Sequence, residues 1–190
     1  MQLIQELLSD VYPLARQTLI YAETITGEME YKGAGEFRDV LEHIKRAIVD
    51  AENDDEARDD ITEAYEHLRR AAVESAQRAV SKSYAEMLKT IRFPSFLHRI
   101  ALVSLPDKKT VNPLRSIAIH GIEEGRYLKS DKERWPESIE EFKKAIDACN
   151  QILELYPSRT DSIIRLITIY SALIGVIGTI LTVMSFYRGC

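Results

Sequence analysis

The chain contains an uninterrupted apolar run that is long enough to cross a lipid bilayer. From Leu166 to Tyr187 there are 22 consecutive residues without a charged residue, His, Asn, Gln or Pro. As an α-helix with a rise of about 1.5 Å per residue, this run is roughly 33 Å long, and the hydrocarbon core of a bilayer is about 30 Å thick. We therefore predict a C-terminal transmembrane helix. The run argues against a wholly soluble protein, although 29% of the 190 residues are charged.

The residues that precede this run are expected to lie in the cytoplasm. The opening segment MQLIQELLSDVYPLARQ has no basic region and carries two early acidic residues, so it does not resemble an export signal. Arg159 and Arg165 precede the run and only Arg188 follows it, which favours a cytoplasmic N-terminal side. We expect residues 1–157 to form a cytosolic sensor or regulatory domain. Residues 158–190 are expected to form a transmembrane helix with a short tail in the cell inner membrane.

Apolar residues before the run recur with helical spacing and do not show the alternation of strands, which predicts an all-α, multi-helix domain. Pro13 is expected to kink or split the first helix, and Gly33 and Gly35 are expected to break the chain before the second. The segment PDKKTVNP at residues 106–113 is expected to be a loop, with the next helix beginning at Pro113.

Two of the predicted apolar stripes define which residues should be buried. The stripe that follows the two glycines includes Leu41 and Ile48. The last helix before the apolar run is expected to begin at Trp135 and Pro136, since proline is favoured in a first helical turn, and to bury residues as far as Leu155.

All eight small residues of the apolar run fall on one side of the predicted transmembrane helix. Six of them are spaced alternately three and four residues apart, the a/d pattern of a heptad, and the other two occupy the adjoining column. Small residues let helix backbones approach closely in a membrane, and hydroxyl groups bond across the contact. We therefore predict that the helix self-associates through this small face, which consists of Thr168, Ser171, Ala172, Gly175, Gly178, Thr179, Thr182 and Ser185.

The sequence allows two arrangements, which differ in the number of helices that pack together through the small face. A dimer or trimer would have a dry, tightly packed seam, whereas a ring of four or more helices would line a pore with the same face. The five hydroxyl groups and the width of the small face favour the ring. Asp161 and Arg165 would lie at the cytosolic mouth of such a pore, although an arginine at this depth also reaches lipid headgroups.

The middle of this acidic chain is basic. Residues 1–80 hold nine Lys and Arg against 18 Asp and Glu, whereas residues 81–135 hold 11 against six. Arginine side chains hold phosphate oxygens and aromatic rings stack on bases, so an anionic nucleotide or oligonucleotide is a candidate ligand. The alternatives are a solvated face, or a surface that pairs with the acidic run at residues 52–60 of the same or a neighbouring subunit. The candidate ligand residues are Lys89, Arg92, Arg99, Lys108, Lys109 and Arg115.

The sequence contains no recognisable catalytic arrangement. A glycine-rich phosphate loop is absent, which argues against nucleotide hydrolysis. The four histidines (His43, His67, His98 and His120) do not form pairs at the i, i+4 spacing of metal ligands, and none stands beside a candidate Cys or Ser nucleophile. The acidic run at residues 52–60 lacks the spacing and the glycine of a calcium-binding loop. We therefore expect no enzyme, no cofactor and no metal site.

The combination of a helical sensor, a basic segment from Arg92 to Arg115 and a self-associating span from Thr168 to Ser185 resembles the small bacterial membrane effectors of anti-phage defence that are gated by nucleotide or oligonucleotide signals. It is most similar to the channel subunit of Hailong-type systems, in which a nucleotidyltransferase-like partner makes a DNA oligomer. The resemblance implies a ligand-gated homo-oligomeric channel, with a tetramer favoured, whose opening depolarises the cell. It also implies a signal-producing enzyme encoded alongside. The alternative function is a tail-anchored scaffold or adaptor that recruits a protein partner to the membrane.

Overall fold

A computed structural model describes residues 2–92, 105–157 and 159–188 of the chain. These residues form helices joined by short turns, and none of them lies in a β-strand, so the all-α prediction is confirmed. In chain order the elements are α1 (Gln2–Glu6), a π-helical turn (Leu7–Val11), α2 (Tyr12–Thr26), α3 (Tyr31–Lys45), a second π-helical turn (Arg46–Asp50), α4 (Asp54–Ile91), α5 (Lys108–Leu128), α6 (Trp135–Leu155) and α7 (Arg159–Arg188).

The 38-residue helix α4 is the axis on which the bundle is built. Its start is capped by Asn53, whose side-chain oxygen accepts hydrogen bonds from the backbone N–H groups of Asp55 and Glu56 at 3.1 and 3.0 Å. Helices α2, α3 and α6 pack along it. The core between them combines small residues of α4 with large side chains of α6 such as Trp135 and Phe142, both almost fully buried.

A second cluster of buried residues fixes which helix ends lie together. Met87 of α4, Val111 of α5 and Ile152 of α6 pack in one apolar cluster. The last turns of α4 and α6 and the first turn of α5 therefore meet at one end of the bundle. Because α7 begins four residues after α6 ends, we call this the α7 end.

The predicted chain break at Gly33 and Gly35 is wrong, because both glycines lie inside α3. The break occurs at Gly27, which adopts a left-handed φ of 66° and donates its backbone N–H to the carbonyl of Glu23 at 2.7 Å. Glycine adopts this conformation without the clash that a Cβ atom causes. Gly33 is instead a packing residue, since a Cβ atom there would collide with the side chain of Leu19.

The two proline predictions have different outcomes. Helix α5 begins at Lys108, so the predicted loop at residues 106–113 is mostly helical and Pro113 lies in the second turn. Asp107 sets this earlier start, because its carboxylate accepts a hydrogen bond from the backbone N–H of Lys109 at 3.1 Å. The interruption predicted at Pro13 is present, because the π-helical turn Leu7–Val11 ends α1, and α2 begins at Tyr12 with Pro13 in its first turn. The π-helical turn just before it shifts the backbone hydrogen bonds by one residue and accommodates the missing N–H.

Three apolar residues predicted to be buried are exposed. Leu41 and Ile48 keep 67% and 64% of their surface accessible, and Leu155 keeps 41%. The buried side of α3 instead passes through Gly33 and Val40. Leu41, Ile48 and the neighbouring Val49, which is 70% exposed, form an exposed strip that we call the α3 apolar patch.

Candidate functional site

Helix α7 contains the whole apolar run within its 30 residues. Among the described residues it is the part of the chain that is long and apolar enough to span a membrane. Every side chain from Tyr170 to Ser185 is exposed. The prediction of a long apolar helix at the C-terminal side of the bundle is therefore confirmed.

The small face of α7 points away from the rest of the protein. At about 100° per residue, its eight members occupy an arc of about 140° around the helix axis. Ser162 is fully buried, and Leu166 and Ile169 are half-buried. These three residues lie on the opposite side of α7 by the same angular count. The rest of the chain thus contacts only the first turns of α7, on the side opposite the small face, and beyond Ile169, as far as Ser185, all sides of the helix are exposed.

Nothing in the described part of the chain explains the two glycines of the small face. A Cβ atom at Gly175 or Gly178 would meet no other atom within 4 Å. Glycine inside a helix costs about 1 kcal/mol relative to alanine, so these positions carry a conformational cost without a contact inside the chain. A close approach by a neighbouring helix would account for them.

Four of the five hydroxyl groups of the small face are hydrogen-bonded within α7. Each of the four donates to a backbone carbonyl one turn earlier at 2.8–2.9 Å, and they belong to Thr168, Thr179, Thr182 and Ser185. These bonds make the face compatible with an apolar surrounding. Each hydroxyl oxygen still has acceptor capacity for water or for a neighbouring helix. Both the dry seam and the pore therefore remain compatible with this geometry.

The two charged residues predicted at the pore mouth lie at the start of α7. Asp161 and Arg165 are one helical turn apart, and both are exposed. Their angular positions fall at and just beyond one edge of the small face. They are therefore placed beside the face and not on the side that the rest of the chain covers.

Five of the six candidate ligand residues are described, and Arg99 lies outside the described residues. Lys89 and Arg92 lie at the end of α4, and Lys108 and Lys109 lie in the first turn of α5. Arg115 follows about two turns later on α5. All five side chains are exposed. The packing of Met87 near Val111 brings both groups to the α7 end, and we call these five residues the basic cluster.

The basic cluster is largely unpaired. Lys89 forms an ion pair with Glu86 at 2.7 Å. Within the described ranges, the other four members form no ion pair with another residue. The acidic run at residues 52–60 lies at the opposite end of α4, and 38 helical residues are about 57 Å long. Pairing with that run inside one subunit, which was one of the alternatives, is therefore excluded for the described bases.

The described side chains of the basic cluster form an exposed basic surface. A cavity of about 320 Å³ lies between α4 and α5 and is lined by Tyr84, Ile122, Glu123 and Arg126, among others. No member of the basic cluster lines this cavity. An open basic surface suits a phosphate-rich strand better than a mononucleotide, which proteins hold in a concave pocket.

The described cysteine has no chemical role in this arrangement. Cys149 is fully buried in the cluster at the α7 end. Burial raises the pKa of its thiol to about 11. Because the thiolate is the nucleophilic form, Cys149 acts as a core residue at neutral pH.

The chain matches no protein-family model, no curated protein and no solved structure. Its functional assignment therefore depends on the geometry of α7 and of the basic cluster.

Proposed function

We propose that the protein is a homo-oligomeric, single-pass membrane protein whose α7 helices pack through the small face and line a pore that the helical bundle gates. One observation carries this proposal: all eight small residues of the run lie on one side of α7, and nothing in the described part of the chain contacts Gly175 or Gly178. A lone lipid anchor has no need to sort its residues, because lipid surrounds it on all sides. A face about 140° wide fits contact with a neighbour on each flank better than the narrow strip of a dimer.

The short connection between bundle and α7 supports gating. Only residues 156–158 separate α6 from α7, so a shift of α6 would be transmitted to α7. The basic cluster lies at this same end of the bundle. In the proposed setting, anti-phage defence at the bacterial inner membrane, an enzyme encoded alongside makes an anionic nucleotide or DNA oligomer that binds the cytosolic basic cluster and moves α6.

Gly175→Ile or Gly178→Ile is expected to break the oligomer. Each substitution places a bulky side chain where two helix backbones approach most closely. Crosslinking and mass photometry of the purified protein in detergent should then detect smaller species than for the wild type. The matched control is Ile177→Leu, which changes the opposite side of α7 and should leave the assembly unchanged. Wild-type stoichiometry in both glycine variants would refute the small face as the contact.

Charge reversal in the basic cluster is expected to abolish binding of a fluorescent single-stranded DNA oligomer. The variant replaces Arg92, Lys109 and Arg115 with Glu. In the wild type, the slope of log affinity against log salt should fall by about 0.7 for each phosphate contact, and the variant should lose this dependence. Fluorescence anisotropy across a salt series measures both quantities.

A second charge-reversal variant controls for net charge. Lys32, Arg38 and Arg58 are exposed and lie on α3 and near the start of α4, so replacing them with Glu changes the charge equally at another place. This variant should bind the oligomer nearly as the wild type does. Wild-type binding by the basic-cluster variant would contradict the ligand site. Binding of the wild type to anionic vesicles alone would assign the cluster to lipid headgroups instead.

A membrane-anchored scaffold is the second candidate function, and the α3 apolar patch favours it. Leu41, Ile48 and Val49 expose most of their surface on one strip of the bundle. Exposed large apolar residues that lie near one another are candidates for binding another protein. In this alternative the bundle recruits a protein partner and α7 serves as an anchor. An assembled α7 oligomer that conducts no ions would support it.

A further inference from the structure

Two histidines from different helices meet at the interface of α3 and α4. The ring centroids of His43 and His67 are 5.2 Å apart, and their side chains are only 17% and 14% exposed. Glu63 lies one helical turn before His67 on α4. One ring nitrogen of each histidine and one carboxylate oxygen of Glu63 lie within 4.8 Å of one another. Tertiary packing thus assembles two imidazoles and a carboxylate that lie far apart in the sequence.

Each histidine is oriented by a carboxylate that holds its Nδ1 atom. Nδ1 of His43 lies 2.9 Å from Oδ1 of Asp60, and Nδ1 of His67 lies 2.7 Å from Oε2 of Glu36. A neutral imidazole that donates from Nδ1 carries its lone pair on Nε2. Histidines that bind metals almost always donate their other N–H to such a carboxylate or carbonyl, which fixes the ring and raises its basicity.

The local charge favours a divalent cation. Glu36, Asp60 and Glu63 supply three negative charges around two imidazoles. A nearby cation is Arg70, whose guanidinium lies 3.6 Å from the carboxylate of Glu36. The guanidinium also lies 3.2 Å from Nδ1 of His67, to which it cannot donate while that nitrogen itself donates to Glu36. With neutral imidazoles the formal charge of the cluster is therefore −2. An ion of charge +2 neutralises it.

An acidic groove lies beside the cluster and shares Asp60 and Glu63 with it. The groove has a volume of about 290 Å³ and includes carboxylates from Asp50, Glu56, Asp59, Asp60 and Glu63, with Arg46 as its cation. A cleft lined by one sign of charge raises the local concentration of counterions. Glu63 is the exposed member of the candidate ligands, so its side chain is free to turn towards an ion held by the two less exposed imidazoles.

We propose that His43, Glu63 and His67 bind one divalent first-row transition-metal ion per chain, with Zn²⁺ as the best match to two imidazoles and one carboxylate. Zinc bonds to such ligands are about 2.0–2.2 Å long, so the three atoms must draw closer than they are now, chiefly by rotation of Glu63. Three protein ligands leave a coordination position for water from the groove. The ion links α3 to α4. This inference is independent of the proposed pore.

Titration of Zn²⁺ into the metal-free, full-length protein in detergent tests the site. Isothermal titration calorimetry should give one ion per chain. His43→Gln and His67→Gln should each abolish this binding, and Asp60→Ala should weaken it by about 10- to 100-fold because it removes the partner that orients His43. His120→Gln is the matched control, since His120 is exposed on α5, and it should leave affinity unchanged. Excess Mg²⁺ should not compete, because it prefers oxygen ligands.

A spectroscopic measurement on the wild type keeps the test valid if a histidine variant fails to fold. X-ray absorption at the zinc edge of the one-to-one complex should show scattering from two imidazole rings and a first shell at about 2.0–2.1 Å. Circular dichroism establishes that each variant retains its helices. A spectrum without imidazole scattering would overturn the proposal. Wild-type affinity in a folded His43→Gln, His67→Gln double variant would also overturn it.

Discussion

Phe142→Ala should lower the free energy of unfolding by about 3–5 kcal/mol, a large fraction of the stability of a typical domain. Phe142 is fully buried on α6, and its ring also lies against Gly125, where a Cβ atom would come within 2.5 Å of it. The substitution removes the contacts of the ring and leaves a cavity between three packed helices. Urea unfolding of the full-length protein in detergent, followed by circular dichroism, measures the loss from the shift of the midpoint.

Leu155→Ala is the matched control on the same helix. The helical period predicts that Leu155 is buried, whereas the structure leaves it 41% exposed. We therefore expect its replacement to cost clearly less than that of Phe142, about 1 kcal/mol or below. Equal losses for Phe142→Ala and Leu155→Ala would contradict the packing of α6 described above.

Loss of ion flux is the expected result of replacing Ser171 and Thr182 together with Leu. By the angular count both residues lie near the middle of the small face, so in a ring of helices they would point towards the axis. Hydroxyl groups replace part of the hydration shell of an ion, and leucine side chains at a constriction exclude water. Flux from vesicles that contain the purified protein, with the signal that opens the pore, measures the effect.

The same variant distinguishes the pore from the dry seam. In a ring, the leucines would narrow the pore while the oligomer persists. In a tightly packed dimer or trimer, they would force the helices apart and reduce the assembly. Ile177→Leu, which introduces a leucine on the opposite side of α7 without changing the side-chain volume, is the control for position and should keep both flux and assembly. Unchanged flux in the Ser171→Leu, Thr182→Leu variant would argue against a pore lined by the small face.

The helices themselves could be predicted because their apolar spacing is regular. The start of α6 at Trp135 and the long apolar helix α7 follow from local sequence alone. The same apolar spacing predicted that Leu41, Ile48 and Leu155 are buried, whereas all three are exposed in the structure. The helical repeat of apolar residues determines which residues share a side of a helix. The width of the buried side depends on which other helices pack against it.

The errors at glycine and proline have a common cause. Gly33 looks like a chain break because glycine is permissive, yet the same missing Cβ atom lets α3 pack closely beside Leu19. Pro113 looks like a helix start, yet the cap supplied by Asp107 begins α5 earlier. Local sequence shows that glycine and proline constrain the backbone differently from other residues. It does not show whether a turn, a cap or a close contact uses them.

The two candidate sites also differ in how much of each could be predicted from the sequence. The small face of α7 lies on one helix, so its spacing is visible in the sequence. His43 and His67 are 24 positions apart on different helices, and the sequence predicted no metal site because they do not share a helical turn. The one local signal was the i, i+4 spacing of Glu63 and His67 on α4. The meeting of His43 with them depends on the packing of α3 against α4.

Electrical recording from the purified full-length protein in planar bilayers tests the pore most directly. The proposal predicts discrete currents that depend on the anionic signal and vanish in the Ser171→Leu, Thr182→Leu variant. Arg165→Glu should change the ion preference without changing the assembly, because Arg165 would lie at the cytosolic mouth. An assembled oligomer that carries no current, with or without a DNA oligomer that the basic cluster binds, would contradict the pore and favour the scaffold.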